Sequence, residues 1–237
     1  MTNRVFITGD KHGDFGGLET FCYKNKTTKD DVMIILGDSG INYFLGSQAD
    51  GYKRRAQKLP IKLFCIHGNH EERATNIKTY NEKVFWEGKV SVEDKYPDLI
   101  FAIDGEVYNI PTLSGTKEAI AIGGAYSVDK EYRLSHGANW YSSEQPSDKI
   151  KSKVEQVLEK RNGDIDIILS HTCPYRYIPR EWFITSINQD TVDNSTELWL
   201  DKICSRLNRY DKWYCGHYHG DKSIDKMVFM FRDIIEI

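Results

Sequence analysis

The sequence is poor in the features that mark specialised protein classes. Only five cysteines occur in 237 residues, an odd number with no Cys-x-x-Cys pair, which excludes a disulfide framework and a thiolate zinc site. Six prolines and no Pro/Gly/Ser-rich tract leave no linker, so one domain over residues 1–237 is the expectation. Apolar runs such as Val32 to Leu36 and Ile165 to Leu169 fall far short of the roughly 20 residues of a membrane helix. Charge of one sign is missing too. With 32 basic against 35 acidic residues the net charge is -3, so no global cationic field would hold nucleic acid or an anionic membrane. The chain opens Met-Thr-Asn-Arg and enters Val5-Phe6-Ile7 at once, without a signal-peptide pattern. The reducing cytoplasm is the expected compartment.

What is present is an alternation. Strand-like runs at Arg4 to Thr8, Asp31 to Leu36 and Ile61 to Ile66 are separated by helical patterns at Gly16 to Lys26 and Ala49 to Lys58, which predicts βαβαβ and a largely parallel sheet. From Lys83 to about Ile122 the pattern changes to short strands with turn residues, and Asp104-Gly105 between Leu99–Ile103 and Val107–Ile110 reads as a hairpin. Ile150, Val154, Val157 and Leu158 predict a helix stopped by Asn162-Gly163, followed by a buried strand at Ile165 to Leu169. Leu200, Ile203, Cys204 and Leu207 predict a last helix, and Lys212–Cys215 and Met227–Phe231 further strands.

The polar residues fall at the ends of the apolar runs. Five runs lead directly into Asp, Asn or His: Gly9-Asp10-Lys11-His12, Gly37-Asp38, Gly68-Asn69-His70-Glu71, Ser170-His171 and Gly216-His217-Tyr218-His219. In open α/β sheets ligands bind beyond the carboxyl ends of strands, so these clusters can meet in one crevice. Five of the seven histidines lie in them, and a sixth, His67, immediately precedes the third. Residues i and i+2 of an extended segment share a side, which lets Asp10 pair with His12 and His217 with His219, whereas the neighbours Asn69 and His70 point apart. Carboxylate, imidazole and amide oxygen together suit Mn, Fe or Zn.

This ordered set resembles the calcineurin-like metallophosphoesterase superfamily, over residues 9 to 219. The resemblance implies a four-layer α/β/β/α sandwich of two mixed sheets flanked by helices, and a hydrolase of phosphate esters. It implies two divalent ions, with Mn favoured: Asp10, His12 and His219 on one, Asn69, His171 and His217 on the other, Asp38 bridging, and His70 facing the scissile phosphate. Two such ions less two carboxylates and a bridging hydroxide leave about one positive charge for a phosphate anion.

The pattern also departs from the family. Many relatives read Gly-Asp-x-x-Asp, the last acid orienting the catalytic histidine, but Ile41 stands there, leaving Asp14 or Glu71 as candidate partners of His70. Both are otherwise expected as ordinary loop or helix-start carboxylates. The first and third motifs resemble the serine/threonine protein phosphatase branch, yet that branch's arginines are absent and His67 occupies one of their places. Arg133, in a polar loop after Gly123-Gly124, is the candidate phosphate clamp, with His136 approaching beside it. Cys173 to Tyr177 is a candidate substrate contact, and Lys53-Arg54-Arg55 reads as the solvated face of a helix. The reading is a phosphomonoesterase. The alternatives are a phosphodiesterase acting on nucleotides or nucleic-acid ends, or a metal-binding module with weakened catalysis.

Overall fold

The computed structural model describes residues 4–237. Its first half is the expected alternation: β1 (Val5–Thr8), α1 (Gly16–Asn25), β2 (Val32–Ile35), α2 (Ala49–Gln57) and β3 (Lys62–Cys65). Then come β4 (Asn81–Phe85), β5 (Gly88–Val92), β6 (Leu99–Ala102), β7 (Val107–Thr112) and β8 (Gly115–Ile122). The remainder is α3 (Lys130–His136), α4 (Asp148–Lys160), β9 (Ile167–Ser170), α5 (Ser195–Arg206), β10 (Lys212–Cys215), β11 (Lys222–Ile224), β12 (Met227–Phe229) and β13 (Ile235–Glu236).

The strands form two mixed sheets, ordered β13-β1-β2-β3-β6-β5-β4 and β11-β12-β10-β9-β8-β7. Strand residues alternate between two burying faces, as the side-chain period of 2 requires. Val5, Ile7, Ile34 and Phe64 of one sheet pack with Tyr108, Ile110, Ala121 and Leu169 of the other, filling the space between the sheets. The opposite faces are covered separately. Phe6, Met33 and Leu63 meet Leu18 and Cys22 of α1 and Ala56 of α2. Ile120, Ile168 and Trp213 meet Val154 and Leu158 of α4 and Leu200 and Ile203 of α5. Three apolar layers between four of secondary structure make the α/β/β/α sandwich.

Register aligns the strand ends. Thr8, Ile35 and Cys65 are partners across the parallel β1, β2 and β3. Ile122, Ser170 and Cys215 are partners across β8, β9 and β10. The loops that leave these strands therefore start from one level in each sheet.

Asp104-Gly105 does not close a hairpin. β6 pairs with β3 and β5, whereas β7 pairs with β8 in the other sheet, so the turn carries the chain from sheet to sheet. The turn chemistry is as expected, with Gly105 at φ 75. Local residues set the turn, and the choice of pairing partner is tertiary. The hairpin between β4 and β5 turns instead at Trp86 and Glu87, both left-handed. Lys53 is also not on a solvated face: it is buried against Glu93 at 2.8 Å, while Arg54 and Arg55 stay exposed.

Candidate metal centre

Each strand-end loop delivers a side chain to one place between the sheets. Asp10 follows β1 and Asp38 follows β2, and both are almost fully buried. Each gives one carboxylate oxygen to a backbone N–H of an opposing loop: Asp10 Oδ1 accepts from His217 N and Asp38 Oδ1 from His70 N, both at 2.9 Å. Their Oδ2 atoms are left buried without any hydrogen-bond partner. Around Asp38 Oδ2 stand Nε2 of His12, His171 and His70 at 3.8, 3.9 and 4.0 Å.

The other donors surround these two oxygens. Asn69 Nδ2 donates to Ser127 Oγ at 2.9 Å, which turns its Oδ1 toward His171 Nε2 (2.7 Å) and His217 Nδ1 (3.1 Å). His171 Nδ1 donates to the Leu36 carbonyl at 2.8 Å, freeing Nε2 for the centre. His219 Nε2 lies 3.2 Å from Asp10 Oδ2 and 3.0 Å from His12 Nε2. The structure thus brings together all seven expected ligand residues, Asp10, His12, Asp38, Asn69, His171, His217 and His219.

The backbone achieves this differently from the extended i, i+2 pairing expected. His12, Asp38, His217 and His219 are all left-handed, with φ between 45° and 69°. Such conformations cost non-glycine residues of order 1–3 kcal/mol each and persist only where surrounding structure enforces them. The motif glycines serve close approach. A Cβ on Gly68 would sit 2.0 Å from Asp38 Oδ1, and one on Gly216 would sit 2.3 Å from Asp10 Oδ1.

The electrostatics suit cations. Burial and the neighbouring Asp10 charge push the Asp38 carboxyl up, while Asp10, buried too but with His219 Nε2 3.2 Å from its Oδ2, is held below the ordinary range. The pocket by itself does not keep both carboxylates ionised. Burial pushes His217 down to about 3, with the nearby His171 adding to it, so His217 is a neutral ligand at working pH. Two partnerless buried carboxylate oxygens among ring nitrogens, two of them 3.0 Å apart, fit ions that bind imidazole at about 2.0–2.1 Å.

His70 stands apart from the ligands, over the centre. Burial, then the charge of Arg133, pushes it down to about 2. Neither expected partner orients it. Asp14 Oδ1 accepts from Gly16 N at the start of α1, the ordinary helix-start role expected of it. Glu71 is not an ordinary loop carboxylate: it is 1% exposed and accepts from Ser39 Oγ at 2.7 Å and from the backbone of Ser39 and Gly68. It clamps the loops carrying Asp38 and Asn69 to each other. Ile41, where relatives hold an acid, is buried in the core beneath.

Two cavities open on the centre. The smaller, about 230 Å³, is lined by His12, Asp38, Tyr43, Tyr52, His70 and Arg133. Arg133 sits on α3, its Nε on Asp129 (2.7 Å) and its Nη1 on the Asn139 carbonyl (3.3 Å), with Nη2 unpartnered among the described residues. His136 does not approach; it is exposed and stacks on Tyr132. The larger, about 350 Å³, lies beyond His217 and is bounded by Tyr126, Asp129, Trp182, Phe183, Ile184 and Glu197. Cys173 to Tyr177 lines neither. Cys173 is core, and Arg176 pairs with Asp201 of α5. The larger cavity escaped sequence reasoning because its walls come from irregular segments without periodicity; only the aromatic pair Trp182-Phe183 hinted at it.

A family model described as calcineurin-like phosphoesterase matches residues 3–221. The chain belongs to that family. Metal-dependent hydrolysis of phosphoesters is therefore its chemistry, and the chain is an enzyme of the metallophosphoesterase class. No curated protein matches the sequence. Among solved structures, this phosphoesterase is similar to TT1561 of Thermus thermophilus, with 11% identity, 100% of this chain and 98% of that one covered, and a TM-score of 0.52. It is also similar to the phosphopantetheinyl hydrolase PptH of Mycobacterium tuberculosis, with 14% identity over 97% and 88% of the two chains and a TM-score of 0.47. At 11% identity the likeness to TT1561 speaks to the fold alone. Among the described residues no helix is long and apolar enough to cross a membrane.

Proposed function

We propose that this phosphoesterase is a phosphomonoesterase with a dinuclear centre, Mn favoured. Asp10, His12 and His219 would hold one ion, Asn69, His171 and His217 the other, and Asp38 both. When bound, such a pair supplies Lewis-acid activation of water and neutralises charge on the phosphoryl oxygens. The observation that carries the reading is Asp38 Oδ2, partnerless, buried and ringed by three histidine nitrogens within 4.0 Å.

The chain's own groups supply the rest. Arg133 faces the smaller cavity with a free Nη2 and meets the extra negative charge that distinguishes a monoester dianion from a diester. His70 is neutral in the substrate-free chain, and a phosphate dianion beside it favours the protonated form, so binding primes it to donate to the leaving oxygen. One observation favours a diester instead: cavities on both sides of the centre could hold a group on each side of phosphorus. The guanidinium in the smaller one supports the monoester reading.

The test is elemental analysis of the Mn-treated protein joined to turnover of p-nitrophenyl phosphate and bis-p-nitrophenyl phosphate. Two metals per chain and a higher kcat/KM for the monoester are expected. A single bound metal defeats the dinuclear reading, and a diester preference defeats the monoester reading.

A further inference from the structure

Among the expected ligands His219 has the most exposed side chain, at 49%. A metal-binding histidine is ordinarily held by a hydrogen bond from its other ring nitrogen, as His171 is by the Leu36 carbonyl. The polar contacts of the His219 ring run through Nε2 alone among the described residues, to His12 and Asp10. What meets the ring instead is Phe231. The two rings lie nearly parallel, with 16° between their planes and 4.7 Å between centroids, an offset stack.

Phe231 lies between β12 and β13, in a stretch without regular structure whose backbone is nevertheless fixed from two directions. Asp221, two residues beyond His219, accepts three successive backbone N–H groups: Phe231 N at 2.7 Å, Arg232 N at 3.1 Å and Asp233 N at 3.2 Å. From the end of β1 and the loop after it, Thr8 Oγ1 donates to the Asp233 carbonyl at 2.8 Å and Lys11 Nζ to the Phe231 carbonyl at 2.7 Å. Gly9 permits the approach, since a Cβ there would fall 1.9 Å from the Met230 carbonyl oxygen. The stretch is thus tied both to the loop that carries Asp10 and His12 and to the loop that carries His217 and His219. Arg232 and Asp233 are exposed, so the side chain these bonds hold against the centre is Phe231.

We propose that Phe231 is a positioning residue: its ring, fixed by Asp221 and Lys11, replaces the missing hydrogen bond on His219 and holds Nε2 toward the ion that Asp10, His12 and His219 would share. The proposal rests on the reading of His219 as a ligand. An imidazole free to turn about its Cβ–Cγ bond presents Nε2 only part of the time, so loss of the stack weakens that ion. The ion on Asn69, His171 and His217 does not depend on it.

Nuclear magnetic resonance of the metal-free protein and calorimetric titration with Mn²⁺ test this. The Phe231 ring current should displace the His219 ring-proton resonances upfield, these being assigned by their absence in His219→Ala. Phe231→Leu should abolish the displacement and Phe231→Tyr keep it. In the titration, His219→Ala identifies the ion concerned. Phe231→Leu should weaken that ion about tenfold and the other less than about threefold, while Phe231→Tyr binds both within about twofold of wild type. Leucine fills the space without a flat face, so a merely structural role would be rescued by either residue. Should the Phe231 variants fail to fold, Asp221→Asn, at an exposed residue, serves instead and should reduce the upfield displacement, which the lost charge alone would not move. Equal Mn²⁺ affinity in the Leu and Tyr variants, equal weakening of both ions, or His219 resonances unmoved by Phe231→Leu or by Asp221→Asn overturns the proposal. A His219→Ala protein that binds both ions as wild type does defeats the reading of His219 as a ligand, and the proposal with it. A wild type that binds one ion only counts against the dinuclear reading. Weakening of that ion by Phe231→Leu then upholds Phe231, and an unchanged affinity overturns it.

Discussion

The two sides of the site are built in opposite ways. The metal cradle comes from loops one to four residues beyond aligned strand ends, with four left-handed side-chain-bearing residues and glycines admitting no Cβ. The larger cavity comes from an irregular stretch, the start of α5 and the loop before α3, joined by apolar contacts. In the first, Asp10, Asp38, Asn69 and His171 are each held by a hydrogen bond to another loop. The second has walls that can be trimmed singly. The expected ligands thus sit on the strand-end loops and the cavity walls on the irregular segments.

Breaking the cradle should have the largest effect. Asp38→Asn should lower kcat/KM by more than about 10³-fold with loss of bound metal, checked by elemental analysis and turnover. The same substitution should raise the melting temperature of the metal-free protein near neutral pH, because it removes a carboxyl whose ionised form, free in the unfolded chain, is disfavoured in the fold by burial and the Asp10 charge. His70→Ala should retain both metals and lose about 10²- to 10⁴-fold in kcat. Equal metal content and rate in wild type and both variants would refute the role assignments.

Arg133→Ala sharpens the contrast, since Arg133 touches none of the ligands and reaches the larger cavity's walls only through Asp129. The ratio of monoester to diester turnover should fall roughly tenfold to a hundredfold, a charge-assisted contact being worth about 1.5–3 kcal/mol. A ratio unmoved by the substitution removes Arg133 as the clamp. The smallest effect is in acid stability. His70, held near 2 when folded against 6.5 when unfolded, stays neutral while the unfolded chain takes up its proton below pH 6.5. Its contribution to stability is therefore intact above pH 6.5 and lost as pH falls toward about 2, by about 1.4 kcal/mol per pH unit. His70→Gln in metal-free protein should flatten the fall of melting temperature with acid by that one proton, and an unchanged slope would show that His70 is not desolvated.

Much of the cradle was legible because parallel strands in a buried sheet are apolar to their ends, so Asp10, Asp38, Asn69, His171 and His217 stand out against what precedes them. Arg133 stood with Lys130 in a polar loop, and no sequence pattern placed either side chain. His136, one turn along the same short helix, was not separable from Arg133 until α3 fixed which one faces inward. Glu71 was misread because a carboxylate beside a histidine motif looks the same whether solvated or clamped between loops. Lys53 was misread likewise: in a run of three cations, only its distance to Glu93 distinguishes it from Arg54 and Arg55.

By itself the sequence determined the alternation of strands and helices and the identities of the residues that meet at the centre, since these follow from hydrophobic period and from polar residues placed where strands stop. The four-layer fold came from the family resemblance those residues carry. Only the tertiary structure decided that β6 and β7 lie in different sheets, that neither Asp14 nor Glu71 orients His70, and that a walled cavity adjoins the centre. Pairing partners, unmet hydrogen bonds and enclosed volume depend on residues far apart in the chain, and no local pattern encodes them.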